Sequence, residues 1–572
     1  MRYFALACDY DGTIATDGRV DPATLAALQE IKATGRRLLL VTGRELDDLQ
    51  EVFPELEIFD WVVAENGALL YQPSTREETA LAAAITTDFA EALTKRGVEP
   101  VRRGRVIVAT WEPHETTVLE TIRDLGLELQ VIFNKGAVMV LPSGVNKASG
   151  LTEALHRLEL SPHNVVGVGD AENDHAFLSA CEFGAAVENA LPMLKERADL
   201  VLKRDHGAGV IELVKKMVDD DLRRLDRKVR RHAISVGADK RGRPMEIEPY
   251  GLNLLFAGPS GGGKSTLAKG FLEGLVDQDY QFCVIDPEGD YEDFEAAVVL
   301  GDRTRVPASS EVLQLLKDPG QNAVVNLLGV PLEQRPAFFA GLLVDLLEMR
   351  SRTGRPHWIV LDEAHHILPR QHLPGTLTLP QHLNNVVFIT VLPEEVLPDA
   401  LSLADMIFTV GEAPERTIAA FAEGVGDPVP PVRHRHLDKG EAVAWRRGGP
   451  VRRFNVAPTR FEHRRHRRKY AEGDLGPDFS FYFRGRERKL NLRAQNLIVF
   501  SQLAEGLDDD TWTYHLRRHD YSAWFRDVIK DPALADEAAA IESRRSLSAA
   551  DSRARVREAI DTRYTLPAEN PP

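Results

Sequence analysis

Cysteine is scarce: Cys8, Cys181 and Cys283 are the only three in 572 residues, far apart and without a CxxC pair. That excludes a disulfide framework and a zinc ribbon and suits a reducing compartment, so a cytoplasmic location is expected. No apolar run approaches the roughly 18–20 residues that a membrane helix needs. The opening MRYFALACDYDG passes from a short apolar stretch into acidic residues, unlike a secretory leader, so no membrane partner is expected. Positive charge is in deficit, with 70 Lys and Arg against 87 Asp and Glu and a net charge of −17. A surface coated overall for nucleic acid is thereby excluded, although a local basic patch is not. What is present is ordinary for a globular chain, 43% apolar and 27% charged. One hydrophobic core stops growing at roughly 250–300 residues, so two or three domains are expected.

Short β-branched runs alternate with helical patterns over residues 1–216, the signature of an α/β domain with a parallel sheet. RYFALAC and RRLLLVTG read as buried strands joined by a helix capped by Asp21 and opened by Pro22. The texture changes over about 67–146, where two helices, one carrying Leu81, Ile85, Phe89 and Leu93 on one face, mix with strands such as RVIVATW and GAVMVL. We expect an inserted α+β cap there. Residues 217–250 are charged and read as a linker with a hairpin through RGRP. A second α/β domain is expected over 251–425, a basic Pro- and Arg-rich linker over 426–477, a helical accessory module over 478–545, and a disordered tail over 546–572.

Asp9-Tyr10-Asp11-Gly12-Thr13 closes the first predicted strand, where ligands bind in open α/β sheets. Two carboxylates two residues apart can converge on one divalent cation, with Gly12 allowing the tight turn. An acidic turn without a ligand is the alternative. Three more pieces favour the site: Thr42 ends LLLVTGR, Lys147 opens a helix in SGVNKASGL, and Asp170, Asn173 and Asp174 follow a strand in VGDAENDHAF. This ordered set resembles the haloacid dehalogenase superfamily of phosphatases, in its Cof-like branch with a lid between the second and third motifs. The resemblance implies a Rossmann-like core, Asp9 as the nucleophile that forms an aspartyl-phosphate, and Asp11 as the acid and base. It implies phosphoryl binding by Thr42 and Lys147, a Mg²⁺ site of Asp9, Asp11 and Asp170, and an orienting role for Asn173 and Asp174. A small phosphomonoester such as a sugar phosphate is the implied substrate, because a lid closes over the site and excludes water. Arg102, Arg103 and Arg105 in the lid either read that substrate or form a solvated turn.

A second motif begins after the strand NLLFA. Gly258, Gly261 and Gly263 with Lys264, Ser265 and Thr266 complete GxxxxGK[ST] before a helical run, the context that a phosphate-binding P-loop requires. Backbone N–H groups can wrap the phosphates of ATP, Lys264 can reach the β and γ oxygens, and Ser265 can ligate Mg²⁺. HWIVLDEAHHIL then offers Asp362 to hold the cation and Glu363 as a base that activates water. With CVIDPEGDYEDF and the later strand VVFITVL, this order resembles the HerA/FtsK-like ATPases, which implies a RecA-like fold, ATP hydrolysis and a homo-oligomer. By it Thr390 is either a γ-phosphate sensor or a plain strand threonine, and Arg416 and Arg433 are either arginine fingers or surface groups.

The expected function is therefore a Mg²⁺-dependent phosphomonoester phosphatase joined to an ATP-hydrolysing domain. A DNA or RNA translocase with an accessory phosphatase, a polynucleotide end-healing enzyme, and a non-enzymatic nucleotide-sensing scaffold are the competitors. The basic stretch RFEHRRHRRKY (460–470) could bind phosphate backbones or be a solvated linker.

Overall fold

The structure is a computed structural model that describes residues 1–134, 136–226, 231–259, 262–370, 379–380, 383–411, 413–432, 437–438, 440–460, 480–486, 489–529 and 531–564. The chain divides into two compact units, Met1–Ala457 and Pro458–Pro572.

The first unit holds two large sheets. The eight-stranded sheet of the N-terminal part runs in the order Leu200–Val201, Phe183–Ala186, Val165–Gly169, Ala5–Cys8, Arg37–Val41, Trp61–Ala64, Leu69–Gln72, Glu77–Ala80. The first six are parallel, and the last two form an antiparallel extension. Ala5–Cys8 and Val165–Gly169 are buried at every position, as expected of central strands covered on both faces. The helix after the first strand starts where the sequence places it. Asp21 accepts the N–H groups of Ala23 and Thr24, and Pro22 begins the helix Pro22–Ala33.

The cap is a four-stranded antiparallel sheet in the order Leu129–Asn134, Ala137–Pro142, Val108–Trp111, Arg102–Arg103, with the helices Thr87–Lys95 and Glu115–Asp124. Its extent differs from the expected 67–146, because Leu69–Gln72 and Glu77–Ala80 belong to the core sheet. Leu81 and Ile85 precede the helix on which they were expected, which starts at Thr87; Ile85 still joins Phe89, Leu93 and Val118 in the cap core.

The second sheet of this unit has eleven strands. Seven parallel strands lie in the order Met406–Val410, Leu254–Ala257, Val386–Thr390, Trp358–Leu361, Phe282–Asp286, Ala323–Asn326, Val298–Leu300. Two antiparallel hairpins extend it, through Glu441–Arg446 and Val451–Val456, then Ile234–Ala238 and Pro244–Ile247. Two expected linkers are corrected here. Residues 234–247 form the hairpin foreseen through RGRP, but it is part of the sheet. Residues 441–456, expected as basic linker, form another, whose Ala442, Val443, Ala444 and Trp445 are buried. Arginine-rich composition concealed a strand whose apolar side chains face the core.

The described residues of the second unit form five helices between Leu497 and Tyr564 and a short strand pair, Phe481–Phe483 with Leu492–Ala494. The strand pair is an addition to the expected helical module. The expected disordered tail is corrected over Ala549–Tyr564, a helix that buries Val556, Ala559 and Ile560 in a core with Trp512, Phe500 and Tyr521. Of the basic stretch 460–470, all but Arg460 lies outside the described residues.

Candidate active site

Three adjacent parallel strands place the first motifs side by side. Asp9 follows Ala5–Cys8, Thr42 follows Arg37–Val41, and Asp170 follows Val165–Gly169, so all three stand at the carboxyl end of the sheet. Lys147 opens the helix Lys147–Arg157, whose start is fixed by a reciprocal cap between Asn146 and Ser149. Its Nζ donates to Asp9 Oδ1 and to Asp174 Oδ1, each at 2.6 Å. The second Asp174 oxygen accepts the N–H groups of Asp170 and Ala171 at 2.8 and 2.9 Å. Thr13 donates to Asp9 Oδ2 at 3.1 Å and reaches Asp170 Oδ1 at 3.4 Å. Thr42 is buried and its hydroxyl accepts the N–H of Arg44. Asn173 donates to Asn66 Oδ1, while its own Oδ1 is buried without a hydrogen-bond partner.

Burial pushes the Asp9 carboxyl up to about 8, with Asp174 and Asp170 adding to the shift and Lys147 opposing it. Burial by itself would lower the Lys147 ammonium, but Asp174 and Asp9 outweigh it and hold the group charged. With all three buried carboxylates ionised, one ammonium leaves two negative charges in low dielectric, what one divalent cation would neutralise. Asp9, Asp170 and Asp174 bring ligand oxygens within 4.8 Å of one another, so the donor set fits Mg²⁺ in charge and in oxygen chemistry. The grouping differs from the expected Asp9, Asp11 and Asp170. The Asp11 carboxylate is instead held by Arg44 in a two-pronged pair at 2.7 Å for each contact.

Sequence reasoning missed three side chains. Arg44, two residues past Thr42, also binds Asp48 at 2.5 Å. Glu65, fully buried, accepts the backbone N–H groups of Arg105, Val106 and Ile107 at 2.7, 2.9 and 3.1 Å, fastening the cap to the core. Asn66, in a left-handed turn at φ 52°, donates to Met139 Sδ in the cap. The string AENG at the end of a strand was the available signal, since Gly67 (φ +99°) touches the Asn146 backbone so closely that a Cβ would lie 1.9 Å from its carbonyl oxygen.

The second sheet presents another set at its own carboxyl edge. The helix Lys264–Asp277 follows the strand Leu254–Ala257, with Gly263 at φ +102° as its N-cap. Gly258, Gly263, Lys264, Ser265 and Thr266 occupy this strand–loop–helix; Gly261 lies outside the described residues. Asp362 and Glu363 follow Trp358–Leu361, and Thr390 ends the strand that lies between that one and Leu254–Ala257. Burial raises Asp362 well above the usual carboxylate range, with Asp286 and Glu363 adding to it, and burial also raises Glu363. Burial lowers Lys264, opposed by Glu363 and Asp362. Glu363 sits at φ 38° and its Oε2 is buried without a hydrogen-bond partner. His365 Nδ1 lies 3.1 Å from Thr390 Oγ1. Asp286, quoted only as part of a string, accepts the N–H groups of Glu288, Gly289, Asp290 and Tyr291 and shapes the turn that follows it. Arg416 is described; Arg433 is not.

Comparison with known proteins bears on the first of these sites. The profile of the haloacid dehalogenase-like hydrolases matches residues 6–102 and 105–214. A phosphoglycolate phosphatase of Methanothermobacter thermautotrophicus is 31% identical over 223 residues, 98% of that protein and 37% of this chain. The chain belongs to the haloacid dehalogenase-like hydrolases. A phosphoglycolate phosphatase of Methanopyrus kandleri is 29% identical, covering 96% of that protein and 37% of this chain. Among solved structures, a haloacid dehalogenase-like hydrolase from Bacteroides thetaiotaomicron aligns with 38% of this chain and 99% of its own, at 16% identity and a TM-score of 0.33. Membership in the hydrolase family thus rests on the N-terminal part of the chain, the part that holds Asp9, Lys147, Asp170 and Asp174, and that part is a phosphatase domain. No described helix is long and apolar enough to cross a membrane.

Proposed function

We propose that residues 1–216 hydrolyse phosphomonoesters of small, hydroxylated alcohols that carry no second charged group, with Mg²⁺ and through a phosphoryl group carried on Asp9. The observation that carries this is the buried Lys147 joining Asp9 to Asp174 beside Asp170. A carboxylate attacks an anionic phosphoryl group only where cations offset both charges. Mg²⁺, when bound by the carboxylates, supplies the larger part of that offset. Asp9 forms the new P–O bond while the ester oxygen departs and takes a proton from Asp11. Asp11 then accepts a proton from water as its oxygen attacks phosphorus, releasing phosphate and restoring Asp9. For Asp11 to carry that proton, its pair with Arg44 has to open, and an incoming phosphoryl dianion gives Arg44 another anion to hold.

The substrate class is argued from the cavity of about 310 Å³ between cap and core. Its acids, Asp11, Glu45 and Asp48, outnumber its bases, Arg44 and Arg102. Both arginines already face carboxylates, Arg44 on Asp11 and Asp48, Arg102 at 3.8 Å from Asp48. A second anionic group on the substrate therefore meets no uncommitted cation among the cavity's described residues. What the cap wall does offer is Thr110 Oγ1 and Asn134 Oδ1, both buried without partners, and the half-exposed ring of Trp111. These suit hydroxyls and an apolar sugar face. Curated relatives are named phosphoglycolate phosphatases, whose substrate carries a carboxylate. The test is kcat/KM on a panel of sugar phosphates against phosphoglycolate. We expect the best sugar phosphate to lead by at least about tenfold; a lead for phosphoglycolate would retire the cavity argument.

For residues 251–457 we propose ATP binding at Gly258–Thr266 and hydrolysis with Glu363 as base. Glu363 favours this reading: a non-glycine residue at positive φ stores strain of the kind found at functional sites, and its buried Oε2 has no hydrogen bond, with His365 Nδ1 3.5 Å away. Asp362 would hold Mg²⁺ and Thr390, one strand away, would sense the γ-phosphate. Measured ATP turnover with and without Glu363→Gln tests it; equal turnover in both would remove Glu363 from the reaction. Assembly into a homo-oligomer and action on nucleic acid are left to the same assays run across protein concentration and with added DNA or RNA.

A further inference from the structure

A second cluster of ligand-type side chains lies at the opposite edge of the phosphatase sheet, where it meets the P-loop half. His163 precedes the strand Val165–Gly169, and Glu182 precedes its neighbour Phe183–Ala186, so the adjacent parallel strands present both residues at their amino ends. His232 reaches the same place from the segment before Ile234–Ala238. Gln278 and Tyr280, just past the P-loop helix Lys264–Asp277, complete the group. His163 stacks on Tyr280 at 3.8 Å and meets His232 edge-on at 5.2 Å.

We propose that His163 Nδ1, Glu182 Oε2 and His232 Nε2 bind a zinc ion that fastens the P-loop half to the phosphatase core. The three ligand atoms lie within 4.8 Å of one another, with His163 Nδ1 at 2.7 Å and His232 Nε2 at 3.9 Å from Glu182 Oε2. Zinc bonds of about 2.0–2.2 Å in a tetrahedral site set ligand atoms about 3.3 Å apart, between those two separations. Two imidazoles and one carboxylate are a zinc set, whereas Mg²⁺ prefers oxygen alone.

The surroundings match what a metal-bound imidazole requires of its other nitrogen. His163 Nε2 lies 2.5 Å from the Gln278 carbonyl oxygen, and His232 Nδ1 lies 3.4 Å from Gln278 Oε1. One residue, Gln278 at the end of the helix Lys264–Asp277, thus orients both rings with Nδ1 of the first and Nε2 of the second turned toward Glu182. Glu182 is fixed in turn by the Arg2 guanidinium on Oε1 and the Tyr280 hydroxyl on Oε2 at 2.7 Å. His232 Nε2 is buried and has no hydrogen-bond partner. A proton on His163 is the competing occupant, since it would make both nitrogens of that ring donors. It leaves His232 Nε2 unsatisfied, because 3.9 Å to Glu182 exceeds hydrogen-bond reach; a cation satisfies all three ligands together.

The test uses the full chain, stripped with a chelator and then held in excess Mg²⁺ to fill the oxygen-ligand sites. Zinc uptake is measured by competition with a chromophoric chelator, alongside the thermal midpoint. We expect one equivalent of zinc per chain, a rise in midpoint, and a visible Co²⁺ spectrum of tetrahedral intensity. His232→Ala should weaken binding at least about tenfold and abolish the rise, while Asp9→Asn leaves both unchanged. Absence of uptake, equal affinity in His232→Ala, or loss of uptake in Asp9→Asn would each overturn the proposal. Should His232→Ala fail to fold, His232→Gln replaces it, and an octahedral Co²⁺ spectrum of the wild-type chain would be as decisive against the site.

Discussion

The carboxyl edges of the two large sheets in the first unit are built on different plans. At the phosphatase edge the carboxylates are already cross-linked: Lys147 binds Asp9 and Asp174, the Thr13 hydroxyl spans Asp9 and Asp170, and Arg44 clamps Asp11. At the edge that carries Lys264, burial with Asp286 and Glu363 drives Asp362 toward protonation, burial drives Glu363 the same way against Lys264, and Glu363 Oε2 has no hydrogen-bond partner among the described residues. The first is organised before substrate arrives. Its carboxylates, like those of the second, still need a cation to make their charge tolerable.

The contrast can be broken one site at a time. The largest effect is expected from Lys147→Ala, which leaves Asp9 and Asp174 without their shared ammonium. Phosphomonoester turnover should fall by about a thousandfold or more while ATP turnover stays within about twofold. Glu363→Gln should do the reverse, lowering ATP turnover by about a hundred- to a thousandfold and leaving phosphomonoester hydrolysis intact. A smaller effect is expected from Glu65→Gln. Replacing the carboxylate that receives three cap N–H groups should cost on the order of 1–2 kcal/mol of cap closure, seen as a rise in KM of about tenfold with kcat changed less. Parallel losses in kcat would instead mean that Glu65 acts on the chemistry.

The smallest effect concerns pH and the seam between the two halves. His357 Nδ1 accepts the N–H of Gln281 at 2.9 Å, while Nε2 faces Asn164 Oδ1 at 3.3 Å, so the buried ring is neutral. Burial, with His163 and Arg355 adding to it, lowers its proton affinity well below the ordinary value of 6.5. The unfolded chain takes up a proton that the folded chain refuses, so this contribution to stability is intact above about pH 6.5 and is lost as pH falls below it, by about 1.4 kcal/mol per unit. Thermal midpoints at pH 7.5 and 5.5 should differ more in the wild-type chain than in His357→Gln.

The motifs that carry chemistry were legible because each sits at a strand end or a helix start, where spacing and residue type constrain one another. Asp9, Thr42, Lys147, Asp170 and Asp174 came from that logic, and the structure brings them together. Arg44 and Glu65 were not legible, because the partners that bring them to the site are distant in sequence: Arg44 meets Asp11 across 33 residues, and Glu65 meets the N–H groups of 105–107 only once the cap is folded. The hairpin 441–456 was hidden by arginines on its exposed positions, and the helix Ala549–Tyr564 by a composition that favours helix and fraying equally. The seam was invisible for the same reason as Glu65, since His163, Glu182, His232 and Tyr280 have no local pattern.

Asp9→Asn in the full chain, assayed for both reactions in one preparation, tests the central claim most directly. The variant keeps the shape of the site but loses the nucleophile, so hydrolysis of the best phosphomonoester should fall to background while ATP turnover and the thermal midpoint remain near wild type. Phosphomonoester hydrolysis persisting at a tenth of the wild-type rate or more would contradict the account, placing the nucleophile elsewhere.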